Sequence, residues 1–92
     1  MTLRGIRLNT VKTRILKTLG DEWTVKIIDF ELCVYRDLGD YDIEISGGSY
    51  GRPVHIFVWE KHPLGTVEQH MDLNPRTTDF KALCDDIVAR YS

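Results

Sequence analysis

Arg52-Pro53-Val54-His55-Ile56-Phe57-Val58-Trp59-Glu60 is the stretch that decides the fold. Strict alternation puts Val54, Ile56 and Val58 on one face of an extended chain and His55, Phe57 and Trp59 on the other. Neither face is simply solvated, so the stretch reads as the central strand of a sheet, flanked on both edges. The rest of the chain is placed around it.

Two turn-rich segments bound this strand. Gly47-Gly48-Ser49-Tyr50-Gly51 precedes it as a loop, and His62-Pro63-Leu64-Gly65 follows it as a turn. Before the loop, Tyr41–Ser46 alternates as a strand, joined through Asp37-Leu38-Gly39-Asp40 to another near Phe30–Arg36. Upstream, Trp23, Val25 and Ile27 keep one phase while Ile28, Phe30, Leu32 and Val34 keep the opposite one. That phase change predicts a bulge or break near Ile27-Ile28-Asp29. After the turn, Thr66–His70 reads as a weaker edge strand, and Asn74-Pro75 ends the sheet region.

Helical spacing appears at the two ends. Asn9 or Thr10 caps a helix over Thr10–Leu19 that stops at Gly20. Val11, Ile15, Leu16 and Leu19 share an arc of about 140°, into which Lys12 intrudes. Thr77 or Thr78 caps a second helix over Asp79–Tyr91, where Phe80, Leu83, Cys84, Ile87, Val88 and Tyr91 repeat at i, i+3, i+4, i+7, i+8 and i+11. Asp79 in its first turn and Arg90 in its last complement the helix dipole.

The expected fold is α+β, in the order α-β-β-β-β-α. It is a two-layer sandwich of a four-stranded antiparallel meander with the N-terminal and C-terminal helices on one face. The inward face would hold Phe30, Leu32, Val34, Ile43, Ile45, Val54, Ile56, Val58 and Val67. The open face would hold Glu31, Cys33, Tyr35, Asp42, Glu44, His55, Phe57, Trp59, Glu68 and His70. Ninety-two residues make a single domain over 1–92, with 1–8 as a flexible or strand-like arm.

Composition is ordinary for a globular protein, at 42% hydrophobic and 28% charged, and the net charge is −2. Its distribution is uneven. Arg4, Arg7, Lys12, Arg14 and Lys17 occur before residue 21 without one acid, whereas the remaining seven bases face fourteen acids. Cys33 and Cys84 have no metal or redox spacing, and no apolar run suits a leader or a membrane span. The expectation is a reduced, cytoplasmic protein that does not engage membranes.

No catalytic constellation emerges, and no cofactor or metal is expected. Gly47-x-Ser49-x-Gly51 matches a nucleophile elbow in letters, but a strand follows it where that motif requires a helix. His55, His62 and His70 lack ligand spacing, so a zinc site would need a cross-strand coincidence.

Two binding readings remain. The favoured one is a non-enzymatic interaction module that docks a protein partner through Glu31, Tyr35, Asp42, Glu44, His55, Phe57 and Trp59. Covering Phe57 and Trp59 would contribute at most about 8–12 kcal/mol, against an association cost of about 4–15 kcal/mol. Those rings could anchor an interface without making one alone. In size and charge the chain resembles small acidic phage-encoded inhibitors such as anti-CRISPR proteins, which implies a regulator or inhibitor. A homodimer would seal the same face. The alternative is nucleic-acid binding through Arg4, Arg7, Lys12, Arg14 and Lys17. In element order the chain resembles double-stranded-RNA-binding domains, although no lysine cluster opens its last helix.

Overall fold

A computed structural model describes the backbone of residues 2, 3, 6–62 and 65–92, and side chains from Arg7 onward within those ranges. The elements run β1 (Thr2–Leu3), β2 (Ile6–Arg7), α1 (Thr10–Leu19), β3 (Thr24–Ile28), β4 (Glu31–Asp37), β5 (Tyr41–Gly47), a short 3-10 turn (Ser49–Gly51), β6 (Val54–Glu60), β7 (Thr66–Leu73) and α2 (Phe80–Tyr91). β1 and β2 pair antiparallel by themselves. β3 to β7 form one antiparallel meander in chain order.

The sheet therefore has five strands rather than four. The phase change at Ile27-Ile28 is a full chain reversal rather than a bulge. Ile28 pairs with Glu31 across a two-residue loop of Asp29 and Phe30, at φ 50° and 66°. Positive φ at both central residues is what a type I′ hairpin demands, because its twist matches that of the flanking strands. The apolar phase flips because the chain turns back. The middle strand is consequently β5, and β6 lies between β5 and β7 as an interior strand.

The inner layer forms as the periodicity requires. Val34, Ile43, Ile45, Val54, Ile56 and Val58 are sealed against Ile15 and Leu19 of α1 and Phe80, Cys84 and Ile87 of α2. Both helices thus occupy one side of the sheet. Two expected inward residues do not join them. Phe30 stands 93% exposed at the hairpin tip. Val67 is exposed because the β6–β7 register slips between Val58 and Trp59. Gln69 faces Val58 but Val67 faces Trp59, so Glu68 is the extra residue of a bulge.

The helix starts follow capping chemistry. The Asn9 side chain accepts from the Lys12 N–H at 2.8 Å. At α2 the cap is Asp79, not Thr77 or Thr78: its carboxylate accepts from the Ala82 N–H at 3.1 Å. β7 runs on to Leu73, three residues past the expected end, because its outer edge keeps alternating through His70 and Asp72.

Candidate functional site

The side of the sheet opposite the helices carries the chemistry. The register places Tyr35 opposite Glu44, Glu44 opposite Phe57, and Phe57 opposite His70. Asp42 stands opposite Trp59, and His55 opposite Asp72. Tyr35, Asp42, Glu44, His55, Phe57 and Trp59 are half-buried, and His70 and Asp72 are exposed. No described helix crosses them. Cys33 and Ser46 share this face yet are buried, since small side chains do not reach past larger neighbours.

The aromatic rings form a row. Trp59 and Phe57 stack at 6.1 Å between centroids, and Phe57 lies almost parallel to the His70 imidazole at 4.4 Å and 6°. His55 continues the row at 6.1 Å from His70. Stacked pairs of this kind add about 0.5–1.5 kcal/mol beyond burial and hold each ring in one orientation.

Carboxylates border the row on the β5 side. The Trp59 indole N–H donates to Glu44 at 2.9 Å, and the Tyr35 hydroxyl donates to Asp42 at 2.8 Å. Burial raises the Glu44 carboxyl above its ordinary pKa, and the negative charges of Asp29, Asp42 and Glu31 add to the rise. The Trp59 hydrogen bond only partly opposes it. The second Asp42 oxygen, Oδ1, is closed off from solvent without a donor among the described residues. These groups line a shallow depression of about 550 Å³ with Lys26 and Lys61 at its margin. The Lys26 ammonium sits 4.5 Å from the Tyr35 ring centroid, and Lys61 is engaged by Asp37 at 2.6 Å.

At the opposite end of the face two expected site residues neutralise each other. Lys12 is only 3% exposed, and its ammonium donates to Glu31 at 2.6 Å and to the Leu32 carbonyl at 2.5 Å. Glu31 also accepts from the Gly47 N–H at 2.7 Å. Burial by itself would raise the Glu31 carboxyl, but Lys12 and the Gly47 N–H outweigh it and hold the group below its usual range. Glu31 and Lys12 thus clip α1, β4 and β5 together. Of the other N-terminal cations, Arg7, Arg14 and Lys17 are exposed, and Arg4 lies outside the described residues.

Sequence reasoning missed three features. Asp72 lies beyond the expected end of β7, although the 68, 70, 72 alternation pointed to it. Its carboxylate takes both histidines, with His55 Nδ1 at 2.5 Å and His70 Nε2 at 2.9 Å. Phe30 and Tyr50, expected in the core and in a plain loop, are fully exposed at positive φ. They flank grooves that share Arg7, Asn9 and Ser49, with Arg52 beside Phe30. No sequence period marks such residues, because turn geometry alone decides where they point.

The thiols are poor nucleophiles. Burial, then the Glu31 and Glu44 charges, pushes Cys33 up to about 12, and burial does the same for Cys84. Among the described residues no helix is long and apolar enough to cross a membrane. Comparison with protein-family models, curated proteins and solved structures finds no match.

Proposed function

We propose that this domain is a non-enzymatic interaction module whose outer sheet face docks a basic protein surface. The observation that carries the reading is the uncovered row Trp59–Phe57–His70 beside Asp42, one of whose carboxylate oxygens has no donor among the described residues. Rings held by stacking lose little side-chain freedom on binding, so they suit interface anchors. A guanidinium arriving over Asp42 and Glu44 would supply the missing donor and offset the charge crowding that raises Glu44. A second copy of the chain is disfavoured, since two-fold pairing would set like-charged faces together. The role that fits is regulation or inhibition of a partner whose cationic surface otherwise contacts nucleic acid.

Capture from lysate by immobilised wild type and by Phe57→Asp/Trp59→Asp tests this. The expected result is a basic partner held by wild type, eluted by salt and lost in the double variant. Retention of the same partner by the double variant removes the face from consideration. Light scattering covers the other occupant: a dimer that the double substitution dissociates would put a second copy on this surface.

A second reading rests on a different end of the molecule. Phe30 and Tyr50 are exposed rings beside Arg7 and Arg52, the pairing that single-stranded nucleic acid uses for stacking and phosphate contact. A salt titration with a short single strand separates the two. Binding whose log K falls linearly with log salt, and which Phe30→Ala weakens, would favour this reading.

A further inference from the structure

We propose that His55, His70 and Asp72 form a binding site for one divalent first-row transition metal ion, with Zn²⁺ the best fit. The inference is independent of the docking reading. These three are the one such grouping among the described residues, and their ligand atoms all lie within 4.8 Å of one another. The donor set is two imidazole nitrogens and one carboxylate oxygen, which suits zinc, copper, nickel and iron(II) rather than magnesium or calcium.

The arrangement is built by the sheet. His55 and Asp72 are direct register partners on β6 and β7, and His70 precedes Asp72 by two residues on the same face. Neighbours fix both rings. His70 lies parallel on Phe57 at 4.4 Å. His55 packs so close to Gly47 that a Cβ there would stand 2.8 Å from its ring. Facing nitrogens therefore converge on Asp72 without a loop having to fold over them.

Hydrogen bonds occupy the positions that coordination would take. Asp72 Oδ1 lies 2.5 Å from His55 Nδ1 and 2.9 Å from His70 Nε2, so ring N–H groups point at one carboxylate oxygen. A zinc ion with bonds of about 2.0–2.2 Å needs its ligands roughly 3.3 Å apart, so the two Asp72 contacts open by under about 1 Å while the ring nitrogens, within 4.8 Å of each other, close by at most about 1.5 Å. An imidazole that binds the ion through the facing nitrogen carries its proton on the other one, so the ion takes the place of the two ring contacts to Asp72. Three protein ligands on an exposed face leave the outward position to water.

Calorimetry with Zn²⁺ on the whole chain, together with the visible spectrum of the Co²⁺-loaded protein, tests the site. Expected are one ion per chain, a Co²⁺ d–d band, and no response to Mg²⁺. His70→Ala and Asp72→Asn each weaken binding at least about tenfold, as ligand loss should exceed the loss of a supporting contact. His62→Ala leaves affinity unchanged. Both ligand positions are exposed strand residues, and circular dichroism checks that the variants fold. Absence of binding by wild type, or full affinity in both ligand variants, overturns the proposal. The latter outcome would mean that the ion sits elsewhere.

Discussion

Along β5 and β6 neighbouring residues live in different worlds. Ile43, Ile45, Ile56 and Val58 are shut from solvent beneath two helices, whereas Glu44, Phe57 and Trp59, one step away on the same strands, face outward. The inner side is mainly aliphatic, and its few polar side chains are partnered at its margins: Arg36 with Glu22, and Gln69 with the Tyr91 hydroxyl. The outer side is aromatic, acidic and hydrogen-bonded, and it retains an acceptor, Asp42 Oδ1, without a donor among the described residues. Strand geometry makes both from one backbone, because side chains alternate. The inner side holds the fold together, and the outer side is free to carry binding chemistry.

That contrast should appear first in stability. Ile56→Ala is expected to cost about 2–5 kcal/mol, through lost burial and a cavity that close packing cannot fill. Phe57→Ala, half-exposed one residue on, should cost about 1 kcal/mol. Urea unfolding of the pair measures the difference. Equal costs would make the outer face a second core and leave nothing free for a partner.

The two sides meet at the Lys12–Glu31 clip. Glu31→Ala leaves the Lys12 ammonium buried without its countercharge, for an expected loss of about 2–3 kcal/mol, tempered because Glu31 itself is half-exposed. Glu31→Ala/Lys12→Met should recover much of it. An unchanged midpoint for Glu31→Ala would show the clip to be ornamental.

Next comes the tip of the first hairpin. Phe30 holds a left-handed conformation that costs an ordinary residue about 1–2 kcal/mol. Phe30→Gly should therefore raise stability by about 0.5–1 kcal/mol, since the exposed ring contributes no packing. Loss of stability instead would show that the ring is covered in solution.

The smallest effect concerns acid. The Glu31 carboxyl is lowered, so its contribution is present above the ordinary glutamate range and fades as pH falls through the folded value. The Glu44 carboxyl is raised, so its contribution is present below that range and fades as pH rises. Glu44→Gln, which can still accept from Trp59, should raise the urea midpoint at pH 7 and change it little at pH 4. Equal shifts at both values would detach Glu44 from the crowded carboxylates.

How much of this is legible in the chain depends on which period carries it. Alternation in Val54–Trp59 and Tyr41–Ser46, and the i, i+3, i+4 stripe of Phe80–Tyr91, are local patterns with one way to bury their apolar side. They determined the antiparallel meander, the flanking helices, and the outer placement of Tyr35, Asp42, Glu44, Phe57 and Trp59. Lys12 already stood out as a cation inside an apolar arc, although its partner did not.

What tertiary structure alone decided lies where a contact spans distance or a turn overrides pattern. The Asp29-Phe30 reversal made a fifth strand out of a break, because hairpin twist prevailed over the cost of left-handed backbone. The bulge after Val58 sent Val67 outward. The Lys12–Glu31 bond bridges 19 residues, and the meeting of His55 with Asp72 bridges 17. The first is set by how α1 packs on the sheet and the second by strand register; each is a property of two segments at once, and neither segment by itself encodes it.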